Sequence, residues 1–181
     1  STSIQEKREA CRALRGSILR QEIYALDGSD KQDIPYTVEE KNYTVKYLQR
    51  QGKNKHAVCL KTDRETLMYH YERNISDPRV LHTMILDTDE YGNITQQAEI
   101  AYPRRANVSG ILPEQRKILA TYTENSYINE TETSYHIGIS CQVLRYEIHN
   151  LEFLSNDKFT LNIILSFIKD AEPIDYAVPP A

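Results

Sequence analysis

At 181 residues, 40% hydrophobic and 27% charged, with a net charge of −4, the chain is long enough for one cored domain and lacks the basic surplus that draws proteins to phosphate backbones. Nucleic acid is therefore not an expected partner, and no apolar run approaches the roughly 18 residues of a membrane helix, so direct membrane insertion is not expected either. Tyr is heavily used (13) against Phe (3) and no Trp, which suits half-exposed pleated surface, apolar along the ring and wet at the hydroxyl.

Ile4 to Leu14 has helix-forming composition, with Glu6, Lys7, Arg8, Glu9, Ala10 and Ala13, and Gly16 is its expected stop. From Ile18 to Ala25 the pattern alternates, which predicts a strand. Asp27-Gly28-Ser29-Asp30 breaks it. Pro35 opens a second extended run, YTVEEKNYTVKYLQ, rich in the β-formers Val38, Tyr43, Val45 and Tyr47. After a polar turn at Gln51–Lys55, two short strands are expected, His56 to Leu60 and Thr66 to Glu72. In the second, Leu67, Tyr69 and Tyr71 share one face.

Ser76-Asp77-Pro78 is turn chemistry. Val80–Leu86 and Ile94–Tyr102 then read as a hairpin around Asp87–Asn93, where Gly92 or Asn93 takes the positive φ of a tight turn. Ile111–Ala120 predicts a helical turn with Pro113 near its first position. Thr121–Ile128 and Tyr135–His149 are β-rich, the latter broken at Gly138. Asn156 or Asp157 is expected to cap a final helix from about Lys158 to Asp170, with Phe159, Ile163, Ile164, Phe167 and Ile168 as its buried face. The tail EPIDYAVPPA reads as an extended exit.

The expected architecture is mainly β: antiparallel sheets and hairpins, about seven to ten strands, with a short helix near each end. It is expected to be a single segment over residues 1–181, with a β-rich body at 16–150 and a C-terminal helix at 157–171. Helices are too few for a βαβ repeat. The start is polar and has no signal-peptide pattern, as expected of a processed chain or an excised segment. Cys11, Cys59 and Cys141 lack C-x-x-C pairing, so buried free thiols are expected rather than a zinc site or disulfide framework. The N-x-S/T sequons at Asn42, Asn74, Asn93, Asn107 and Asn129 fit the use of Asn and Thr at turns.

Three blocks resemble the middle-to-C-terminal region of the B component of insecticidal Tc toxins: ACRALRGSILRQEIYALDGS at 10–29, PYTVEEKNYTVKYLQ at 35–49 and YHYERNISDPRVLHTMILDTDEYGNITQQAEIAYPRR at 69–105. ATYTENSYIN and YHIGISCQVLRYEI continue the likeness in order, so it spans roughly residues 6 to 170. The fragment DEYGNI is also similar to the hairpin turns of RHS and YD-repeat proteins. The resemblance implies a structural role in a secreted bacterial toxin complex. In that family the B and C components form a hollow β shell that encloses a cytotoxic effector and delivers it through the A-component channel. The implied partners are the remaining segments of the same polypeptide, the C component and, indirectly, the A channel. The family's self-cleavage chemistry lies at the end of the C component. No motif for it is found here, so no catalytic, cofactor or metal residue is assigned.

Several fragments carry an alternative chemistry. Asp87-x-Asp89-x-x-Gly92 mimics the start of an EF-hand loop, but Tyr91 and Ala98 stand where carboxylate ligands are needed. His70-x-Glu72 resembles part of a zinc-deaminase motif without its P-C-x-x-C, and reads more simply as a strand surface pair. Ser1-Thr2-Ser3 with Glu130-Thr131-Glu132 resembles elements of ADP-ribosyltransferases, the one enzyme alternative kept. His136 and Cys141 lie five apart, on opposite faces of an uninterrupted strand. Asn107-Val108-Ser109-Gly110 is a loop and no nucleophile elbow. A tyrosine-rich binding face using Tyr69, Tyr71, Tyr122 and Tyr127 for a protein or glycan is the third alternative.

Overall fold

Ser3 starts the first helix. Its hydroxyl accepts the Glu6 N–H while the Glu6 carboxylate accepts the Ser3 N–H, a reciprocal cap. The computed structural model describes residues 2–105, 109–151 and 158–174. Helix α1 is Ile4–Ala13, and the chain leaves it through Gly16 at φ +78°. Eight strands follow: β1 Arg20–Ile23, β2 Thr37–Gln49, β3 Val58–His70, β4 Arg79–Thr88, β5 Ile94–Ala101, β6 Leu119–Glu130, β7 His136–Glu147 and β8 Glu172–Pro173. Helix α2, Leu161–Phe167, lies between β7 and β8. The strands form one sheet in the order β1 to β8, and each pairs antiparallel with the next. This is a plain meander: each strand reverses and lies beside the one before it.

Several expected boundaries move. The two strands predicted at 56–60 and 66–72 are one strand, β3. Polar residues 61–65 stay extended because β2 supplies partners along the whole length, from Gln49↔Val58 to Thr37↔His70. The helical turn expected over 111–120 shrinks to a single 3₁₀ turn, Pro113–Arg116, and Leu119 and Ala120 open β6. Helix α2 begins at Leu161 with Thr160 at its cap position, and Ile163 is half exposed rather than buried. The expected caps Asn156 and Asp157 lie outside the described residues, as does most of the extended exit. In the β4–β5 turn Gly92, at φ +88°, takes the positive angle.

One extra residue, absorbed in a bulge, sets which residues of β3 reach each side of the sheet. Asn42 pairs with Glu65 and Tyr43 with Asp63, so Arg64 is a bulge in β3. Before it, Cys59, Lys61 and Asp63 share a face with Tyr47, Val45 and Tyr43. There the Tyr47 hydroxyl donates to the Glu6 carbonyl and the Tyr43 hydroxyl to the Ile18 carbonyl, which sets α1 and its exit on that face. Past the bulge, Leu67 and Tyr69 sit across from Glu40 and Val38, on the opposite face. The register continues that face through His82 and Met84, Ile100 and Ala98, and Ala120 and Tyr122. Met84, Ala98, Ile100, Tyr102, Ala120, Tyr122, Ile148 and Ile164 form the buried core. Phe159, Phe167 and Ile168 close over it from the α2 side. The two helices therefore cover opposite faces of the sheet.

Candidate functional site

Several carboxylates of this chain are committed to its own turns. Asp89 begins the β4–β5 turn, and its Oδ1 accepts the N–H groups of Tyr91 at 3.0 Å and Asn93 at 2.8 Å. Its Oδ2 accepts the side-chain amides of Asn93 at 2.8 Å and Asn129 at 2.9 Å. Burial alone would raise its pKa, but these hydrogen bonds outweigh it and hold the carboxyl below its ordinary range. The oxygens that an EF-hand reading would turn toward calcium thus face amides, and Ala98 at the loop's twelfth position is in the core. Asn129 reaches further: its Oδ1 accepts the Gly138 N–H at 2.8 Å, which ties the β4–β5 turn to β6 and β7.

Two glutamates missed by sequence reading anchor α1. Glu6 and Glu9 are the buried residues of this otherwise polar helix. Glu9 accepts the Ala57 N–H at 2.6 Å and meets His56 Nδ1 at 2.9 Å. Glu6 accepts the Gln51 N–H at 3.2 Å. Both pKa values fall, that of Glu9 chiefly through the Ala57 N–H and that of Glu6 chiefly through the Ser3 N–H. The helix is held by carboxylates that satisfy the N–H groups of the β2–β3 turn, a docking mode without a hydrophobic period to reveal it.

Asp77 makes a second knot. Its Oδ2 accepts Arg104 Nε at 2.8 Å and its Oδ1 accepts the Arg105 N–H at 3.0 Å, which joins the β3–β4 turn to the end of β5. Burial works against this carboxylate, and the Arg104 hydrogen bond leads the group of contacts that lowers its pKa overall.

The other predicted residues scatter. His70 ends β3, but Glu72 lies beyond the strand at φ +49° and pairs with Arg79, so the two are not a strand pair. Ser3 caps α1, Thr2 accepts a hydrogen bond from Arg50, and Ser1 lies outside the described residues. Glu130 ends β6 and accepts the N–H groups of Glu132 at 2.7 Å and Thr133 at 3.1 Å. Since α1 packs on β2 and β3, the strand order separates Ser3 from Glu130 by roughly 14 Å of sheet width.

Two irregularities fall between His136 and Cys141, one at Cys141 itself, so simple alternation does not relate them. The Cys141 thiol donates to the Ser126 carbonyl at 3.2 Å. Cys11 and Cys141 are exposed and Cys59 is half-buried, against the expectation of buried thiols. Asn107 and Val108 of the predicted loop lie outside the described residues. Tyr69 and Tyr71 stack at 6.0 Å, but Tyr122 is in the core, so the four tyrosines do not form one open face.

Among the described residues no group of three His, Cys, Asp or Glu side chains is placed to hold a metal ion. A cavity of about 350 Å³ has Leu81, Ala101 and Leu119 in its lining, with Arg79 and Arg104 beside them. Those two guanidinium groups are engaged by Glu72 and Asp77. No described helix is long and apolar enough to cross a membrane.

The two sheet edges differ. Strand β1 is short, and Arg20 there pairs with Glu22 and Glu40. At the other edge, among the described residues, β8 pairs with Tyr146 and Glu147 of β7, and the Ile174 N–H donates to the Arg145 carbonyl. Along residues 136–144 no further described strand pairs with β7, and Ile139, Val143 and Leu144 are exposed there. A long apolar edge without lysine or proline is a template for another strand.

Residues 9–150 match the family model described as insecticide toxin TcdB middle/C-terminal region. The chain is similar to the solved structure of TcdB2-TccC3, with 26% identity and a TM-score of 0.78 over 90% of this chain and 9% of that one. It is likewise similar to the Tc holotoxin pore of Photorhabdus luminescens, with 27% identity and a TM-score of 0.78 over 90% of this chain and 8% of that one. Against TcdB2-TccC3-Cdc42 the identity is 27% and the TM-score 0.72, over 90% of this chain and 9% of that one. The chain therefore spans less than a tenth of the length of these solved chains. No curated protein matches it.

Proposed function

Because this chain belongs to the family of the insecticide toxin TcdB middle/C-terminal region, we propose that it is a non-catalytic wall segment of a Tc-toxin B-like shell, which encloses and delivers a cytotoxic effector. The observation that carries this reading is the continuous eight-stranded meander with an apolar edge at β7, where no further described strand pairs along residues 136–144. Paired strands satisfy their own backbone groups and make a surface that is closed to a chain on either side. Edge strands extend such a surface by pairing with neighbouring segments of the same polypeptide.

The C component is the other proposed partner, with the A channel engaged indirectly. The pairing of TcdB2 with TccC3 in the similar structures supports this. The whole acts as a secreted complex, and its hairpins are of the RHS/YD-repeat type. The commitment of Asp77, Asp89 and Glu130 to hydrogen bonds within the fold supports a role without bond-making.

The test removes residues 89–93 from the complete B-like protein assembled with its C component. The expected outcome is loss of shell assembly and protease digestion of the enclosed effector. A shell that still shields its cargo after the deletion overturns the reading. In the intact assembly, Glu130→Gln with Glu132→Gln leaves toxicity unchanged. Transfer of label from NAD that depends on either glutamate supports the transferase alternative instead.

A further inference from the structure

Beneath the segment that leads into α2 lies a titratable group that a passive wall does not use. His82 of β4 is 3% exposed. Its Nδ1 is 3.1 Å from the Tyr102 hydroxyl, and among the described residues its buried Nε2 has no hydrogen-bond partner. The same Tyr102 oxygen accepts the Phe159 N–H at 2.8 Å. The Tyr102 ring lies near-parallel to the His82 ring at 6.2 Å and to the Phe159 ring at 5.8 Å. The Lys158 ammonium sits 4.0 Å from the centre of the Tyr102 ring and 5.9 Å from that of Tyr69. One hydroxyl thus joins an imidazole on the sheet to the backbone that enters α2.

We propose that His82, Tyr102 and the Lys158–Phe159 segment form an acid-sensitive latch, which holds α2 on the sheet while His82 is neutral and loosens it when His82 takes up a proton. The latch uses the neutral tautomer with its proton on Nε2, in which Nδ1 can accept the Tyr102 hydroxyl hydrogen while the Tyr102 oxygen accepts the Phe159 N–H. A proton from solvent that binds Nδ1 turns that nitrogen from acceptor to donor. The Tyr102 hydroxyl must then turn away, and its oxygen faces two N–H groups. The new charge is buried, and among the described residues no carboxylate pairs with the ring.

The groups that face His82 set the direction of the response. Burial lowers its pKa most, the Glu65 carboxylate on β3 opposes this, and the Lys158 ammonium from the α2 side adds to the lowering. Arg105 stands near Lys158, whose own pKa is lowered mainly by burial. Tyr102 and Tyr69 stay neutral, since burial pushes Tyr102 up to about 12 and raises Tyr69 as well. Ile100, opposite His82 on β5, carries no charge. A base with a lowered pKa in the closed form binds fewer protons there than in the open form. The closed form is therefore fully favoured above about pH 6.5–7 and loses ground as pH falls through the open-form value. The loss stops once pH passes the closed-form pKa.

The test follows the intact protein from pH 7.5 to 5. One readout is amide exchange of Leu161–Phe167, corrected for the intrinsic pH dependence of exchange, and the other is the imidazole NMR titration of His82. The expected result is a fall in α2 protection of about tenfold for each unit separating the closed and open pKa values, in step with His82 protonation below 6.5. His82→Gln is expected to keep protection flat across this range, and Lys158→Met to move the imidazole titration to higher pH. Titration of His82 at or above 6.5, α2 protection indifferent to its protonation, or an equal loss in His82→Gln overturns the proposal. The native titration decides the matter even where the glutamine variant does not fold.

Discussion

Gly138 shows how much one position in β7 carries. Its φ is +73°, and a Cβ built there meets the Asn93 Oδ1 at 2.9 Å. That Asn93 side chain is itself held by Asp89, whose other amide partner, Asn129, accepts the Gly138 N–H. Gly138→Ala therefore combines left-handed strain with displacement of a side chain fixed in a network. A cost of about 2–3 kcal/mol is expected, of which about 1–2 is backbone strain, read as a lower urea midpoint. A variant within about 0.5 kcal/mol of the native protein would mean that the Asp89–Asn93–Asn129 contacts are dispensable. The described asparagines that create sequons in the sequence all make side-chain hydrogen bonds within the fold. Asn42 donates to Glu65, Asn74 accepts from Ser76, and Asn93 and Asn129 both serve Asp89.

The bulge at Arg64 sets which residues of β3 meet each side of the sheet. Pairing alternates with a period of two, so one inserted residue exchanges the faces of everything beyond it. Ahead of the bulge the strand meets the α1 side, and beyond it Leu67 and Tyr69 join the α2 side. Deletion of Arg64 is expected to keep the fold, because Asp63 and Glu65 then follow one another across from Tyr43 and Asn42, and Leu67 and Tyr69 retain both their pairing with β2 and their place on the core face. Arg64→Ala is expected to stay within about 0.5 kcal/mol, since the exposed side chain is not what the bulge needs. Thermal melts followed by circular dichroism check both variants, and loss of cooperative melting on deletion of Arg64 refutes the account. The merged β3 was not legible for a related reason: the run Lys61-Thr62-Asp63-Arg64-Glu65 has no apolar alternation, and only the partner strand holds it extended. Helix α1 presents the reverse case. Its boundaries were readable from Ser3, Glu6 and Gly16, while its docking through Glu6 and Glu9 was not, because carboxylates that satisfy a turn leave no periodic trace.

The whole molecule is a sheet with helices on opposite faces and unlike edges. On the proposed reading the β7 edge is where the wall continues, so Val143→Lys, which places a charge on that edge, is expected to leave the fold intact and impair assembly of the complete shell. Native-like circular dichroism together with a loss of the assembled species in size-exclusion chromatography is the expected pair of results, and normal assembly argues against a role for this edge. Much of the architecture was written locally. Turn residues such as Asp27-Gly28, Ser76-Asp77-Pro78 and Tyr91-Gly92-Asn93, set between β-forming runs, are enough to specify a mainly antiparallel β chain with a helix near each end, because each hairpin closes over short sequence distance. The pairing of Asp77 with Arg104, the burial of Tyr122 and His82, the half-exposure of Ile163 and the exposure of Cys11 and Cys141 depend on residues brought together across the sheet. Composition and spacing name which groups are able to titrate or donate, but whether such a group faces water, a turn amide or the underside of α2 is set by register and by the bulges that shift it. Those are properties of paired strands, which no strand carries alone.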